Sequence, residues 1–250
     1  MEKIYGETLE LRSCHCDAGG LWRPSAILEA MQETAAAHSA RLGLDRSTLV
    51  QMGIVWILSR TKVEMERVPQ FGERLIIETY PTQNRHLFFP RSHVFKDKQG
   101  GLVGRANSLW VLVDTQTRRI TSDPRVLERL PDNRDLAPAV GMPATVHPLE
   151  GPSVPGAIEP LYTDLDINGH VNNTKYLDWC CNALGPEAMQ NACLSAFEVN
   201  YDSEILPGSR ICTELTRKDD CIAFCGFDGG KRHFAIRGTL AARKPSEISL

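Results

Sequence analysis

Apolar and polar residues alternate through "GETLELRSCHC", residues 6–16, the period of a half-buried strand. "DAGGLW" breaks the alternation with turn-forming residues. Pro24 suits a first helical position, and from there the period changes. Ile27, Met31, Ala35, His38 and Leu42 recur every three to four residues, which predicts an amphipathic helix of about five turns ending at Gly43. Its "ETAAAHSA" run is small enough to pack closely on a sheet. Four strand candidates follow: "GIVWILSRTKVEMERVP", "ERLIIETYPT", "LFFPRSHVFKD" and "LVGRANSLWVLVDTQT". Next comes Pro-rich text without a sustained period, read as a linker over residues 131–152. The order then returns. "AIEPLYTDLD" reads as a short strand and turn, "NNTKYLDWCCNAL" as a helix with Tyr176, Leu177, Cys180 and Leu184 on one side, and four further strands reach residue 243.

The return is a repeat that can be aligned residue by residue. "DAGGLWRPSAIL" aligns on "DINGHVNNTKYL" with a constant offset of 149 residues, so Asp17 falls on Asp166, Gly19 on Asn168, Leu21 on His170 and Ser25 on Thr174. Further on, "VPQFGERL" matches "EILPGSRI" with a shorter offset. A helix wrapped by an antiparallel sheet, present twice, predicts an α+β duplicated fold. The duplication supplies an internal control. A turn that only connects elements has no need of the Asn and His that the second copy adds.

Composition removes several function classes. The 250-residue chain is 42% hydrophobic and 24% charged, ordinary for a globular protein. A net charge of −3 offers no footprint for nucleic acid. No apolar run approaches the roughly 18 residues of a membrane helix, and the first residues show no signal-peptide core, so the chain reads as cytoplasmic. Eight cysteines without a CxxC pair argue against zinc and fit free thiols that are buried or incidental. Neither a metal nor an organic cofactor is expected.

"DLDINGHVNNTKYLDW", residues 164–179, resembles the D-x-N-x-H-V-N-N-x-x-Y signature of the acyl-acyl carrier protein (acyl-ACP) thioesterases, a family with plant and bacterial members. The resemblance extends to Arg60, Glu64, Arg67, Pro69 and Gly72, and to "GRANSLWVLVDTQTRRI". It implies a tandem double hotdog with two long helices, each wrapped by an antiparallel sheet. The first domain would span 1–130 and be non-catalytic; the second would span 153–250 and carry the catalytic motif. It also implies hydrolysis of a fatty acyl thioester carried on acyl carrier protein, with Asp166, Asn168, His170 and Glu204 as the catalytic residues. Glu204 lies in "YDSEIL", and the Cys that follows the Glu in plant members is replaced here by Ile205. A cysteine nucleophile at that position is therefore excluded.

A thioester is an activated acyl group. Its hydrolysis needs an activated water, donors for the oxyanion and a proton for the leaving thiol. Glu204 or His170 suits the base, Asn168 a donor, and Asp166 an orienting acceptor. The N–H groups of residues 169–173, leading into a helix, are further candidate donors. Each reading has a plainer rival. Asp166 and Asn168 are also turn formers, Asn172 or Asn173 suits a helix cap, with Asn173 favoured, Asp164 suits a structural role, and Glu204 alone would be a solvated strand charge. His38 falls on an apolar stripe, as core histidines do. Competing functions are an acyl-CoA thioesterase of the same fold and a non-catalytic acyl-binding hotdog protein. A homodimer is left open, because the duplicated chain already supplies two copies.

Overall fold

The computed structural model describes residues 1–243; residues 244–250, the end of the expected second domain, lie outside the described residues. The chain forms two compact units. The first comprises residues 1–11, 29–66 and 72–143, and the second residues 12–28, 67–71 and 144–250.

The first unit holds strands β1 (Tyr5–Glu10), β2 (Ile54–Met65), β3 (Arg74–Pro81), β4 (Phe88–Asp97), β5 (Leu102–Asp114) and the short β6 (Ile120–Thr121). They pair antiparallel in the order β1-β3-β4-β5-β2, with β6 against β5. Helix α1 (Pro24–Arg41) begins at the expected proline, and Ile27, Met31, Ala35 and His38 are all buried. Its later turns are tied to the sheet of the first unit by hydrogen bonds. Thr34 donates to Glu7, and His93 Nε2 bonds the Met31 carbonyl at 3.1 Å. Two short helices were not evident in the periodicity: α2 (Arg46–Gln51), capped by Asp45 accepting from the Thr48 N–H, and α3 (Pro124–Leu127). Each is shorter than two turns, too short to show a helical stripe. Leu49 and Val126 from them close one end of the core with Leu42, Ile54, Phe89 and Leu112.

The second unit holds β7 (Ser153–Ile158), α4 (Lys175–Leu184), α5 (Pro186–Asn191), β8 (Ala192–Tyr201), β9 (Ile211–Lys218), β10 (Cys221–Asp228) and β11 (Lys231–Ala242). Its antiparallel sheet runs β7-β9-β10-β11-β8. Both sheets thus share one topology, first-third-fourth-fifth-second in chain order, as a duplication requires. The fold is mixed α/β with antiparallel sheets and few helices. β7 begins four residues before the expected strand, because its exposed first residues, 153–156, carry no apolar alternation.

The helices differ between copies. α1 runs eighteen residues, whereas α4 runs ten. It ends at Gly185, whose φ of 86° is open to glycine, and Pro186 starts the separate α5. Tyr176 and Leu177 of α4 are buried, and the Tyr176 ring stacks on Phe234 of β11, centroids 4.5 Å apart. β11 in turn needs glycine beside it on β10. A Cβ on Gly226 would lie 2.2 Å from the Phe234 ring.

Candidate active site

The two aligned turns, residues 17–23 and 166–172, both belong to the second unit and have the same backbone. A 3₁₀ turn precedes each, Ser13–His15 and Tyr162–Asp164. Isolated bridges then join Cys16 to Trp22 and Leu165 to Val171. Asp17 N–H donates to the Leu21 carbonyl at 2.9 Å, and Asp166 N–H to the His170 carbonyl at 2.8 Å. Gly20 and Gly169 hold φ of 77° and 78°, left-handed values that favour glycine. In both, the aspartate side chain folds back on the turn. Asp17 Oδ1 accepts from Gly19 N at 2.9 Å, and Asp166 Oδ1 from Asn168 N at 2.8 Å. Turn formation is therefore common to both copies and does not explain Asn168 or His170.

In the first copy Asp17 is committed elsewhere. Both its oxygens accept from the Arg243 guanidinium, whose side chain is only 10% exposed. A Cβ on Gly19 would meet Arg243 Nη1, so the arginine occupies the space that an Asn168-like side chain would need.

In the second copy the four expected residues form two bonded pairs. Asn168 Nδ2 donates to Asp166 Oδ2 at 3.2 Å, which fixes the orientation of the amide. His170 Nε2 lies 3.2 Å from Glu204 Oε2. That imidazole and carboxylate are 32% and 39% exposed, so the pair faces solvent and a substrate can reach it. Glu204 is delivered by the loop after β8. Val171 N–H donates to the Ile205 carbonyl at 2.9 Å, fastening this loop to the turn. The Ile205 side chain is fully buried.

Two expectations are corrected. The N-cap residue of α4 is Thr174, which makes no side-chain cap bond of its own; of the two asparagines expected to cap, Asn172 and not Asn173 accepts from its N–H. Asn172 Oδ1 accepts from the Thr174 N–H and hydroxyl, both at 3.0 Å. The backbone donors expected around residues 169–173 are largely spent as well. Gly169, Val171 and Asn172 N–H groups donate to the carbonyls of Asp166, Ile205 and Asp164. Asp164 also accepts from Leu161 N with its side chain, tying the turn together.

The chain matches the acyl-ACP thioesterase N-terminal domain over residues 2–128 and the C-terminal domain over residues 153–227. It belongs to the acyl-ACP thioesterase family. Within that family it is similar to the chloroplastic dodecanoyl-(acyl-carrier-protein) hydrolase of Cinnamomum camphora, 26% identical over 80% of this chain and 56% of the relative. It is also similar to the chloroplastic oleoyl-acyl carrier protein thioesterase 1 of Arabidopsis thaliana, 25% identical over 80% of this chain and 60% of the relative. The chain spans about half the length of the curated relatives it matches. In fold it is similar to an acyl-ACP thioesterase from Bacteroides thetaiotaomicron, with a TM-score of 0.85 at 21% identity over 95% of this chain and 98% of that one. The 12:0-ACP thioesterase from Umbellularia californica gives 0.84 at 23%, over 96% and 98%.

This acyl-ACP thioesterase family member also has an open cleft of about 1290 Å³ in its second unit. Asp17, Arg23, Leu161, Trp179, Cys181 and Arg243 are among the residues that line it, and none of the four expected site residues does. The cleft borders the degenerate turn rather than the His170–Glu204 pair. Among the described residues no cluster of His, Cys, Asp and Glu could hold a metal ion, and no helix is long and apolar enough to cross a membrane. All eight cysteines are free thiols.

Proposed function

We propose that this chain hydrolyses a fatty acyl thioester carried on acyl carrier protein, releasing the free fatty acid and the carrier thiol. The observation that supports this most is the His170–Glu204 contact at 3.2 Å, set on a turn whose duplicate has Leu21 in place of the histidine. Family membership supplies the reaction class. Glu204 polarises a water, whose oxygen attacks the thioester carbon; the carbon–sulfur bond breaks, and the proton passes through His170 to the leaving thiolate. Asn168, with its amide held by Asp166, donates to the oxyanion. Donors and a base so placed each contribute about 10²–10⁴-fold.

Two hotdog copies, 1–130 and 153–250, are the proposed domain plan, joined by 131–152, with the catalytic motif in the second. The shared strand order and the likeness in fold to solved acyl-ACP thioesterases support it. The cytoplasm is the proposed compartment, a reading supported by eight unbridged thiols, which fit a reducing environment.

A panel of medium- to long-chain acyl groups, each presented on carrier protein and on CoA, tests the reading through released fatty acid. Hydrolysis should be faster on carrier protein. Glu204→Ala, at an exposed position, and His170→Ala, at a half-buried one, should stay folded and lose roughly 10²-fold or more in kcat. Near wild-type turnover by folded Glu204→Ala would remove Glu204 from the mechanism. Faster turnover on CoA would make the chain an acyl-CoA thioesterase.

A further inference from the structure

We infer that His233 is a positioning residue for Glu204, a role that rests on the thioesterase reading above. The duplication isolates it. Tyr201 on β8 pairs with Phe234 on β11, and Met65 on β2 pairs with Gly104 on β5. One residue further on, the same backbone bond closes each pair of strands. Asp202 N–H donates to the His233 carbonyl, and Glu66 N–H to the Val103 carbonyl, both at 2.9 Å. His233 therefore stands where the first copy has Val103. In the same register Glu204 stands where the first copy has Val68, since Val171 N–H bonds the Ile205 carbonyl as Trp22 N–H bonds the Pro69 carbonyl. At Gly19, Leu21, Val68 and Val103 the first copy has no polar side chain. The second has Asn168, His170, Glu204 and His233. The first three are expected site residues, and the fourth has changed with them.

His233 grips the loop that carries Glu204. It is buried, 8% exposed. Its carbonyl accepts from the N–H groups of Asp202 at 2.9 Å and Ser203 at 3.1 Å. Its Nδ1 lies 2.9 Å from the Glu204 carbonyl oxygen. A carbonyl can only accept, so Nδ1 carries the proton and donates. Arg232 adds an ion pair to Asp202 at 2.6 Å. With Val171 holding Ile205 on the other side, every residue from 202 to 205 has a bonded backbone group. The His233 imidazole bonds the Glu204 peptide itself. That peptide sets the direction in which the carboxylate leaves the chain toward His170. The turn does not need the histidine to form, because the first copy makes the equivalent strand pairing with Val103.

His233→Val installs the first copy's own residue and tests this. Measured on an acyl-ACP that wild type hydrolyses, kcat should fall roughly 10–100-fold, as an ångström of misplacement costs, with KM changed by no more than about twofold. His233→Asn should recover most of the loss, because its amide nitrogen reaches the place of Nδ1. His233→Gln, whose nitrogen lies beyond it, should not. A crystal structure of His233→Val should show the His170–Glu204 contact opened. Full kcat in His233→Val, equal loss in the Asn and Gln variants, or an unchanged His170–Glu204 contact would each overturn the assignment. Should His233→Val not fold, the contrast between Asn and Gln decides. Wild type without thioesterase activity would count against the proposed function, and the crystallographic comparison would still judge His233.

Discussion

Gly19 and Asn168 occupy one place in two copies of the same turn, and a side chain is the difference between them. In the first copy the Arg243 guanidinium fills that space and holds Asp17. Gly19→Asn should therefore not recreate a site. It should displace Arg243 from Asp17 and lower stability by about 1–3 kcal/mol, the usual cost of leaving a largely buried charged group without its partner, read from chemical denaturation. A second prediction concerns the buried imidazoles of the first unit. Arg91, held down to about 10 by burial, donates to His38 Nδ1 at 3.0 Å, and His38 Nε2 bonds the Glu2 carbonyl. Burial, then the Arg91 charge, lowers the His38 pKa. The same causes push His93 down to about 3. Both groups bind protons more weakly folded than unfolded. Stability from them is complete above the ordinary histidine value of about 6.5 and is lost as pH falls toward 3, on the order of a few kcal/mol for His93. Denaturation midpoints should thus drop between pH 7 and pH 4, and the slope should be shallower in His93→Gln.

Among the elements, the strands were the most legible. β2 to β5 and β9 to β11 fall within the expected strand segments, and β8 begins two residues before its own, at Ala192. α1 was legible as well, because its eighteen residues repeat the apolar stripe several times. Elements under two turns were not, since one or two buried residues make no period; α2 and α5 declare themselves only through their caps, Asp45 and the Gly185–Pro186 pair. The break at Gly185 shortens the second helix relative to the first, so the expected symmetry of two long helices does not hold in detail. Element packing also reaches the site. Gly226 on β10 leaves room for Phe234 on β11, which stacks on Tyr176 just after the turn. Gly226→Ala should push that ring and cost about 1–3 kcal/mol by overpacking, visible as a lower Tm. Activity should fall with it if the displaced Tyr176 disturbs the turn, and kinetics at a temperature where the variant is folded would show this.

For the whole molecule, the two units repeat one strand order. The turns align at 149 residues, whereas the strands and loops that follow align at shorter spacings, because in the second copy both the helix and the segment between it and the second strand are shorter. That segment holds α2 in the first copy and α5 in the second. The free thiols give a global check on the fold. Cys14 and Cys212 are exposed, whereas Cys180 is fully buried with its pKa raised well above the ordinary thiol value by desolvation, and Cys181 is pushed up to about 12. Alkylation followed by mass spectrometry should label Cys14 and Cys212 first and Cys180 only on unfolding. Early labelling of Cys180 would contradict the packing of α4 on its sheet.

From the sequence alone came the duplication, the strand and helix text of both copies, the family, and the motif residues Asp166, Asn168 and His170. These are local or repeated signals, and alternation, spacing and self-alignment read them directly. Glu204 entered only through resemblance, since one charge at the end of a strand has no local signature. The tertiary structure decided the partners: His170 with Glu204, Asn168 with Asp166, and Asp17 with Arg243, the last two residues 226 positions apart. It also decided that His233 holds the Glu204 loop. Such contacts depend on which strands lie side by side, and strand order is set by the packing of the whole sheet, which no window of sequence contains.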